Sequence, residues 1–111
     1  MDVINEYLKQ HQDYKTIELQ GMGDYVLWEA APWIECADGF RMSVQAGEFA
    51  YCEPRINKAL YYSRVEVGFP SEVEPLMLEW AESPEKPTDT VYGWIPVEVV
   101  NQVIEKHGGI K

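Results

Sequence analysis

Reactive and metal-binding side chains are scarce in this chain of 111 residues. It has two cysteines, Cys36 and Cys52, and two histidines near opposite ends of the sequence. A zinc site needs clustered cysteine and histidine ligands at short spacing, so this inventory offers none. Nucleotide-binding glycine loops and the GxSxG motif of serine hydrolases are also missing. The sequence therefore predicts no metal, no cofactor and no catalytic residue of a known motif.

Long apolar runs and positive charge are also in short supply. No run approaches the roughly 20 residues that span a bilayer, and no apolar region marks a signal peptide. Nine basic against 19 acidic residues give a formal charge of −10, which argues against binding nucleic acid or an anionic membrane directly. We expect a cytoplasmic protein with free thiols, although sequence alone leaves a disulfide between the two cysteines open.

The composition that remains is that of a globular protein, with 46% hydrophobic and 13% aromatic residues. Periodicity and turn residues predict an α+β fold: a single domain over residues 1–111, with N-terminal, middle and C-terminal helices packed on a mainly antiparallel sheet of about five strands. The predicted helices cover 1–12, 72–81 and a segment from Pro96 onward. The predicted strands cover 15–20, 25–30, 33–37, 40–46, 60–69 and 90–95.

One hairpin has a strong local signal. The pair Asp38-Gly39 separates two strand-like runs, which is typical of a two-residue turn. That turn would place Cys36 opposite Arg41 and Ile34 opposite Ser43. It would also turn Arg41, Ser43 and Gln45 to one face of the second strand.

Capping residues mark both later helices. Ser71 and Glu74 have the spacing of a capping box, which predicts the helix over 72–81, with Pro75 in its first turn. For the last helix, Pro96 suits the first position and Lys106 with His107 suits the negatively polarised end. The glycines that follow suit its C-cap.

Negative charge is concentrated in one region. Residues 66–89 hold seven acids and one lysine, whereas residues 41–64 have a net charge of +2. One interpretation is a docking face for a cation-rich partner, formed by Glu72, Glu74, Glu79 and Glu82. The alternative is a solvated helix followed by a polar loop.

A second candidate site lies in the stretch RMSVQAGEFAYCEPR, residues 41–55. Its residues Arg41, Gln45, Tyr51 and Arg55 could hold an anionic metabolite or nucleotide, since arginine binds carboxylate and phosphate in a bidentate way. The alternative is a solvent-facing strand and loop. An enzyme using Cys52 beside Glu53, with His107 as base, is a further hypothesis, set against an inert buried cysteine.

Three strings carry a resemblance: WIECADGFRMSVQAGEFAYCEPR, VEVGFPSE, and TVYGWIP followed by a helix that ends in KHGG. From about residue 22 to the last residue, the chain resembles small uncharacterised proteins encoded by bacteriophages and prophages. The resemblance implies a phage accessory protein in a bacterial cytoplasm. No activity is attached to that group, so no catalytic residue is carried over.

These observations favour a non-enzymatic, acidic accessory protein that binds a host protein with a basic surface. One concrete form is a counter-defence inhibitor that occupies the nucleic-acid cleft of a host nuclease complex. The small-ligand site and the cysteine enzyme remain the alternatives. A homodimer that pairs strand edges, such as the edge of the strand at 60–69, also stays open.

Overall fold

The computed structural model describes residues 2–11, 13–19, 21, 23–29 and 31–111, with side chains outside 13–19 and 23–29. Within these residues the chain forms two α-helices, one 3₁₀ helix and six strands. In chain order they are α1 (Val3–His11), β1 (Asp13–Leu19), β2 (Gly23–Glu29), β3 (Ile34–Glu35), β4 (Arg41–Gln45), β5 (Arg64–Gly68), the 3₁₀ helix (Pro75–Trp80), β6 (Val91–Pro96) and α2 (Val97–Lys106).

The described strands form two antiparallel groups. Strands β1 and β2 pair as a hairpin, and the other four form a sheet in the order β3-β4-β5-β6. The predicted α+β class with an antiparallel sheet is confirmed. The predicted single sheet of about five strands is replaced by a sheet of four and a separate pair. Neither described helix is long and apolar enough to cross a membrane.

The core lies on one face of the four-stranded sheet. Alternation in β4 buries Met42 and Val44, and β5 contributes Val65 and Val67 to the same face. The apolar stripe of α2 adds four residues with side chains at most 2% exposed: Val97, Val100, Val103 and Ile104. This stripe at helical spacing is the reason that the sequence predicts α2 well.

Two polar side chains fasten α1 to the rest of the chain. Asp2 accepts the backbone N–H of Asn5 at 3.1 Å and the Asn101 side-chain amide of α2 at 3.0 Å. The buried amide of Asn5 pairs with both backbone groups of Tyr62, accepting its N–H at 2.8 Å and donating to its carbonyl at 3.0 Å. These bonds satisfy groups that burial would otherwise leave unpaired.

The turn between β3 and β4 differs from the predicted two-residue type. The N–H of Cys36 donates to the Phe40 carbonyl at 2.8 Å, so three residues form the loop. Of those three, Gly39 has the positive φ, +95°, and Asp38 keeps a negative one while accepting the Phe40 N–H at 2.9 Å. A three-residue loop needs one left-handed position, which Gly39 supplies.

The extra loop residue shifts the register by one and corrects the predicted pairing. A one-residue shift exchanges the two faces of a strand relative to its partner. Here it brings two apolar side chains together on the buried face. The observed pairs are Ile34–Met42 and Glu35–Arg41, whereas the predicted pairs were Ile34–Ser43 and Cys36–Arg41.

The predicted α-helix over 72–81 is a shorter 3₁₀ helix, Pro75–Trp80. Its cap is Glu74 rather than Ser71, so the proline occupies the first helical position, where its missing N–H costs nothing. The hydroxyl of Ser71 instead accepts the backbone N–H of Arg41 at 2.9 Å. The capping-box interpretation was therefore wrong.

Both outer strands of the four-stranded sheet have a neighbour on their outer side. Ile110 pairs with Cys36 at the end of β3, and Ala81 pairs with Tyr92 of β6. The strand predicted at 60–69 is the interior strand β5, between β4 and β6. That strand is therefore not a free edge at which a second chain could pair.

A buried ion cluster and two candidate binding surfaces

A buried histidine lies between two carboxylates. Nδ1 of His107 is 2.6 Å from Asp38 Oδ2, and Nε2 is 2.9 Å from Glu74 Oε1. The His107 side chain is 7% exposed and that of Glu74 is 1% exposed. The Phe40 ring stacks on the imidazole with 4.1 Å between ring centroids and 12° between planes.

Glu74 has three hydrogen-bond donors around its carboxylate. Besides His107, Lys106 Nζ lies 2.9 Å from Oε1, and the N–H of Leu76 donates to Oε2 at 2.9 Å. Burial opposes ionisation of this carboxyl, but the bonds from Leu76, Lys106 and His107 outweigh it and lower its pKa. We call Asp38, Glu74, Lys106 and His107 the ion cluster. It joins the β3–β4 turn, the start of the 3₁₀ helix and the end of α2.

Both ring nitrogens of His107 face a carboxylate, which is the arrangement that suits the doubly protonated imidazolium. Burial lowers the pKa of His107, but the bonds to Asp38 and Glu74 outweigh it and raise the pKa above its ordinary value. The pKa of Asp38 is lowered, first by the Phe40 N–H and then by His107. With both nitrogens engaged, His107 has no lone pair free to act as a general base.

The two thiols are buried and unpaired. The Cys52 side chain is 3% exposed, and its Sγ contacts the carbonyl and the N–H of Gly47 at 3.2 Å. Burial is the first cause that raises the pKa of Cys52, and likewise of Cys36. A reactive cysteine needs a lowered pKa and access to solvent. The structure gives Cys52 neither, and it commits the predicted base, His107, to the ion cluster.

All four predicted ligand residues make contacts within the chain. The Gln45 amide accepts the N–H of Ala31 and donates to the Ala31 carbonyl, each at 3.0 Å, and it also donates to Ser43. The Arg41 guanidinium lies over the Trp33 ring, 5.4 Å from its centroid. Gln45 is therefore a structural clamp, and Arg41 covers an aromatic ring.

The other two predicted ligand residues, Tyr51 and Arg55, form a stack with Trp94, which lies outside the predicted site, and Arg55 Nε donates to the Glu48 carbonyl at 3.1 Å. The Arg55 guanidinium lies 5.5 Å from the Tyr51 ring centroid, and Tyr51 stacks on Trp94 with centroids 4.8 Å apart. We call Tyr51, Arg55 and Trp94 the aromatic platform. Large aromatic residues usually fill cores, but Trp94 is 46% exposed.

The backbone explains why Trp94 points to solvent. It lies in β6 beside a register irregularity and has φ +52°, which is unusual for a bulky residue, and its side chain is 46% exposed. The N–H of Trp94 donates to the Tyr51 carbonyl at 2.9 Å, and the Arg64 guanidinium donates to the Trp94 carbonyl at 2.8 Å. Gly93 makes room for Tyr51, since a Cβ there would lie 3.3 Å from the Tyr51 side chain.

The acidic surface differs in one member from the predicted set. Glu72, Glu79 and Glu82 are exposed, and none of them forms an ion pair with another described residue. Glu74 is buried in the ion cluster, so its carboxylate is not available to a partner. We therefore define the acidic surface as Glu72, Glu79, Glu82 and, further along the same segment, the exposed Glu85 and Asp89.

The chain matches no protein-family model, no curated protein and no solved structure. In the part of the chain that the structure describes, no three histidine, cysteine or acidic side chains converge to hold a metal ion.

Proposed function

We propose that this protein is a non-catalytic binding protein whose acidic surface docks on a basic surface of a protein partner. The observation that carries the proposal is the exposure of Glu72, Glu79 and Glu82 without ion-pair partners in the described chain. Carboxylates that are not neutralised within the protein create a negative potential that attracts a basic partner.

Charge supports the proposal at long range. Residues 66–89 hold a net charge of −6 out of −10 for the whole chain, and −5 without the buried and paired Glu74. Such a concentration steers a basic partner toward one side of the molecule, and it raises the association rate at low ionic strength. An inhibitor that occupies the nucleic-acid cleft of a phage host's nuclease is one form of this function, because exposed carboxylates can take the positions of phosphates.

The ion cluster supports the proposal by holding the start of the acidic surface in place. Glu74 begins the 3₁₀ helix, and its carboxylate is held by Lys106 and His107 of the C-terminal region. The start of the acidic surface is therefore fixed to the body of the protein. A fixed surface loses less conformational freedom on binding than a mobile one.

The test compares two triple charge reversals. One replaces Glu72, Glu79 and Glu82 by lysine. The matched control replaces three exposed glutamates on the two α-helices by lysine: Glu6, Glu98 and Glu105. Both triples change the net charge equally, so a difference between them reports position rather than total charge.

We expect the unmodified protein to retain a bacterial protein at about 0.01 M salt and to release it at about 1 M. The Debye screening length falls from ~30 Å to ~3 Å over this range, so the attraction between charged surfaces is lost. The acidic-surface triple should lose that protein, and the control triple should keep it. Circular dichroism confirms that both triples fold. Retention by the acidic-surface triple, or equal loss by both, would contradict the proposal.

A further inference from the structure

The aromatic platform and the acidic surface meet along β6. The N–H of Glu82 donates to the carbonyl of Val91 at 3.0 Å, and Trp94 lies three residues further on, about 10 Å at the rise of an extended strand. On the other side, Glu66 accepts the backbone N–H of Tyr51 at 3.3 Å. The Glu66 carboxylate therefore borders the platform, and the backbone of Glu82 pairs with the strand that carries Trp94.

The exposure of Trp94 accompanies an unusual backbone conformation. Its positive φ turns an indole outward from a strand whose neighbours Tyr92 and Ile95 are fully buried. Strained backbone of this kind is found where a side chain has a binding role. Tryptophan, tyrosine and arginine are also the residue types that dominate the centres of protein interfaces.

Two exposed aromatic rings of the chain already form cation-π contacts with arginine. Arg55 lies over Tyr51, and Arg41 lies over Trp33. Among the described residues no guanidinium lies over the Trp94 ring, although indole is the strongest cation-π acceptor among the side chains. Tyr51 stacks on one face of the indole, and the ring remains exposed without a cation of the described chain over it, beside a segment that attracts cations.

We propose that Trp94 is the anchor of the docking surface and receives an arginine guanidinium of the basic partner, with the Glu66 carboxylate beside the platform and Glu82 on the segment that pairs with β6. The inference rests on the proposed function and makes it more specific, because it names arginine rather than positive charge in general. A guanidinium stacks flat on an indole, whereas the ammonium of lysine is a compact and strongly hydrated charge.

The probes are two peptides of equal charge, deca-arginine and deca-lysine, titrated against the full chain at low salt. We expect the unmodified protein to bind deca-arginine more tightly than deca-lysine. Trp94→Ala should weaken deca-arginine binding about three- to fivefold and leave deca-lysine binding unchanged. Trp33→Ala is the matched control, because its indole is 45% exposed but already covered by Arg41. It should keep the arginine preference.

The outcomes separate this inference from the proposed function. If Trp94→Ala keeps the arginine preference while the acidic-surface triple binds neither peptide, the anchor is refuted and the proposed function stands. If the triple binds both peptides as the unmodified protein does, the proposed function fails. Perturbation of the Trp94 indole N–H resonance by adenosine monophosphate, with none by deca-arginine, would overturn the anchor in favour of a small anionic ligand. Trp94→Gly, which suits the backbone, repeats the test if the alanine variant folds poorly.

Discussion

Replacing His107 by alanine tests the ion cluster directly. The change removes one of three donors from the buried Glu74 carboxylate and the ring that stacks on Phe40. Removing one partner from a buried ion pair typically costs 3–5 kcal/mol, and an aromatic pair contributes about 1 kcal/mol. Lys106 and Leu76 still hold Glu74, so we expect a loss of about 3 kcal/mol near pH 6. That is a large part of the 5–15 kcal/mol typical of a whole domain.

The same cluster sets a pH window for stability. The pKa of His107 is raised above 6.5 in the folded chain, so its contribution is complete below about pH 6.5 and is lost as pH rises through the folded pKa. The pKa values of Glu74 and Asp38 are lowered from 4.5 and 3.8, so their contributions are present above those values and are lost on further acidification. We expect maximal stability between about pH 4.5 and 6.5.

The assay is urea unfolding followed by tryptophan fluorescence at several pH values. The unmodified protein should lose stability above the window by at most about 1.4 kcal/mol per pH unit for one proton, and the alanine variant should lack that decline. His11→Ala is the control, because His11 is an exposed histidine outside the cluster. A loss below about 1 kcal/mol on removing His107, or an unchanged alkaline decline in that variant, would refute the reasoning.

Three further predictions concern single positions. Trp94→Gly should be more stable than Trp94→Ala by about 1 kcal/mol in urea unfolding, because alanine is strained at φ +52°; the reverse order would show an ordinary strand position. Asn5→Ala should cost about 1–3 kcal/mol by thermal unfolding, since it removes both hydrogen bonds between the buried Asn5 amide and the Tyr62 backbone, and a neutral effect would contradict those bonds. Iodoacetamide should label Cys36 and Cys52 far more slowly in the native chain than in urea, whereas fast native labelling of Cys52 would revive a catalytic role.

The two α-helices and most strands could be predicted from local patterns, whereas the middle helix differs in type, bounds and cap. The stripe in α2, with glycines after its end, is a signal carried by neighbouring residues, and the structure places that helix as predicted. The Asp38-Gly39 signal gave the hairpin but not its loop length. The structure places a third residue in the loop, and Asp38 then contacts His107, 69 residues away. A local motif contains no information about such a partner.

The candidate surfaces were predictable only in part. The acidic composition predicted the segment. Nothing in the sequence around Glu74 distinguishes it from the exposed glutamates, because its burial depends on contacts with Lys106 and His107, which are distant in sequence. Tyr51 and Arg55 were predicted together because they lie close in sequence. Trp94 was not predicted as a site residue, because its exposure depends on a backbone angle and its stacking partner Tyr51 depends on room above Gly93, and neither has a local sequence signal.

The contacts of residues 107–111 also set an order for folding during synthesis. The backbone of Ala37 bonds to Gly109, that of Glu35 to Lys111, and that of Asp38 to His107. A ribosome delivers these partners about seventy residues after the hairpin that receives them, so the nascent hairpin must wait for them. Until they emerge, the outer edge of β3 is open and Glu74 has no imidazolium beside it. This part of the sheet is therefore completed later than the hairpin itself, whichever surface the folded protein uses to bind.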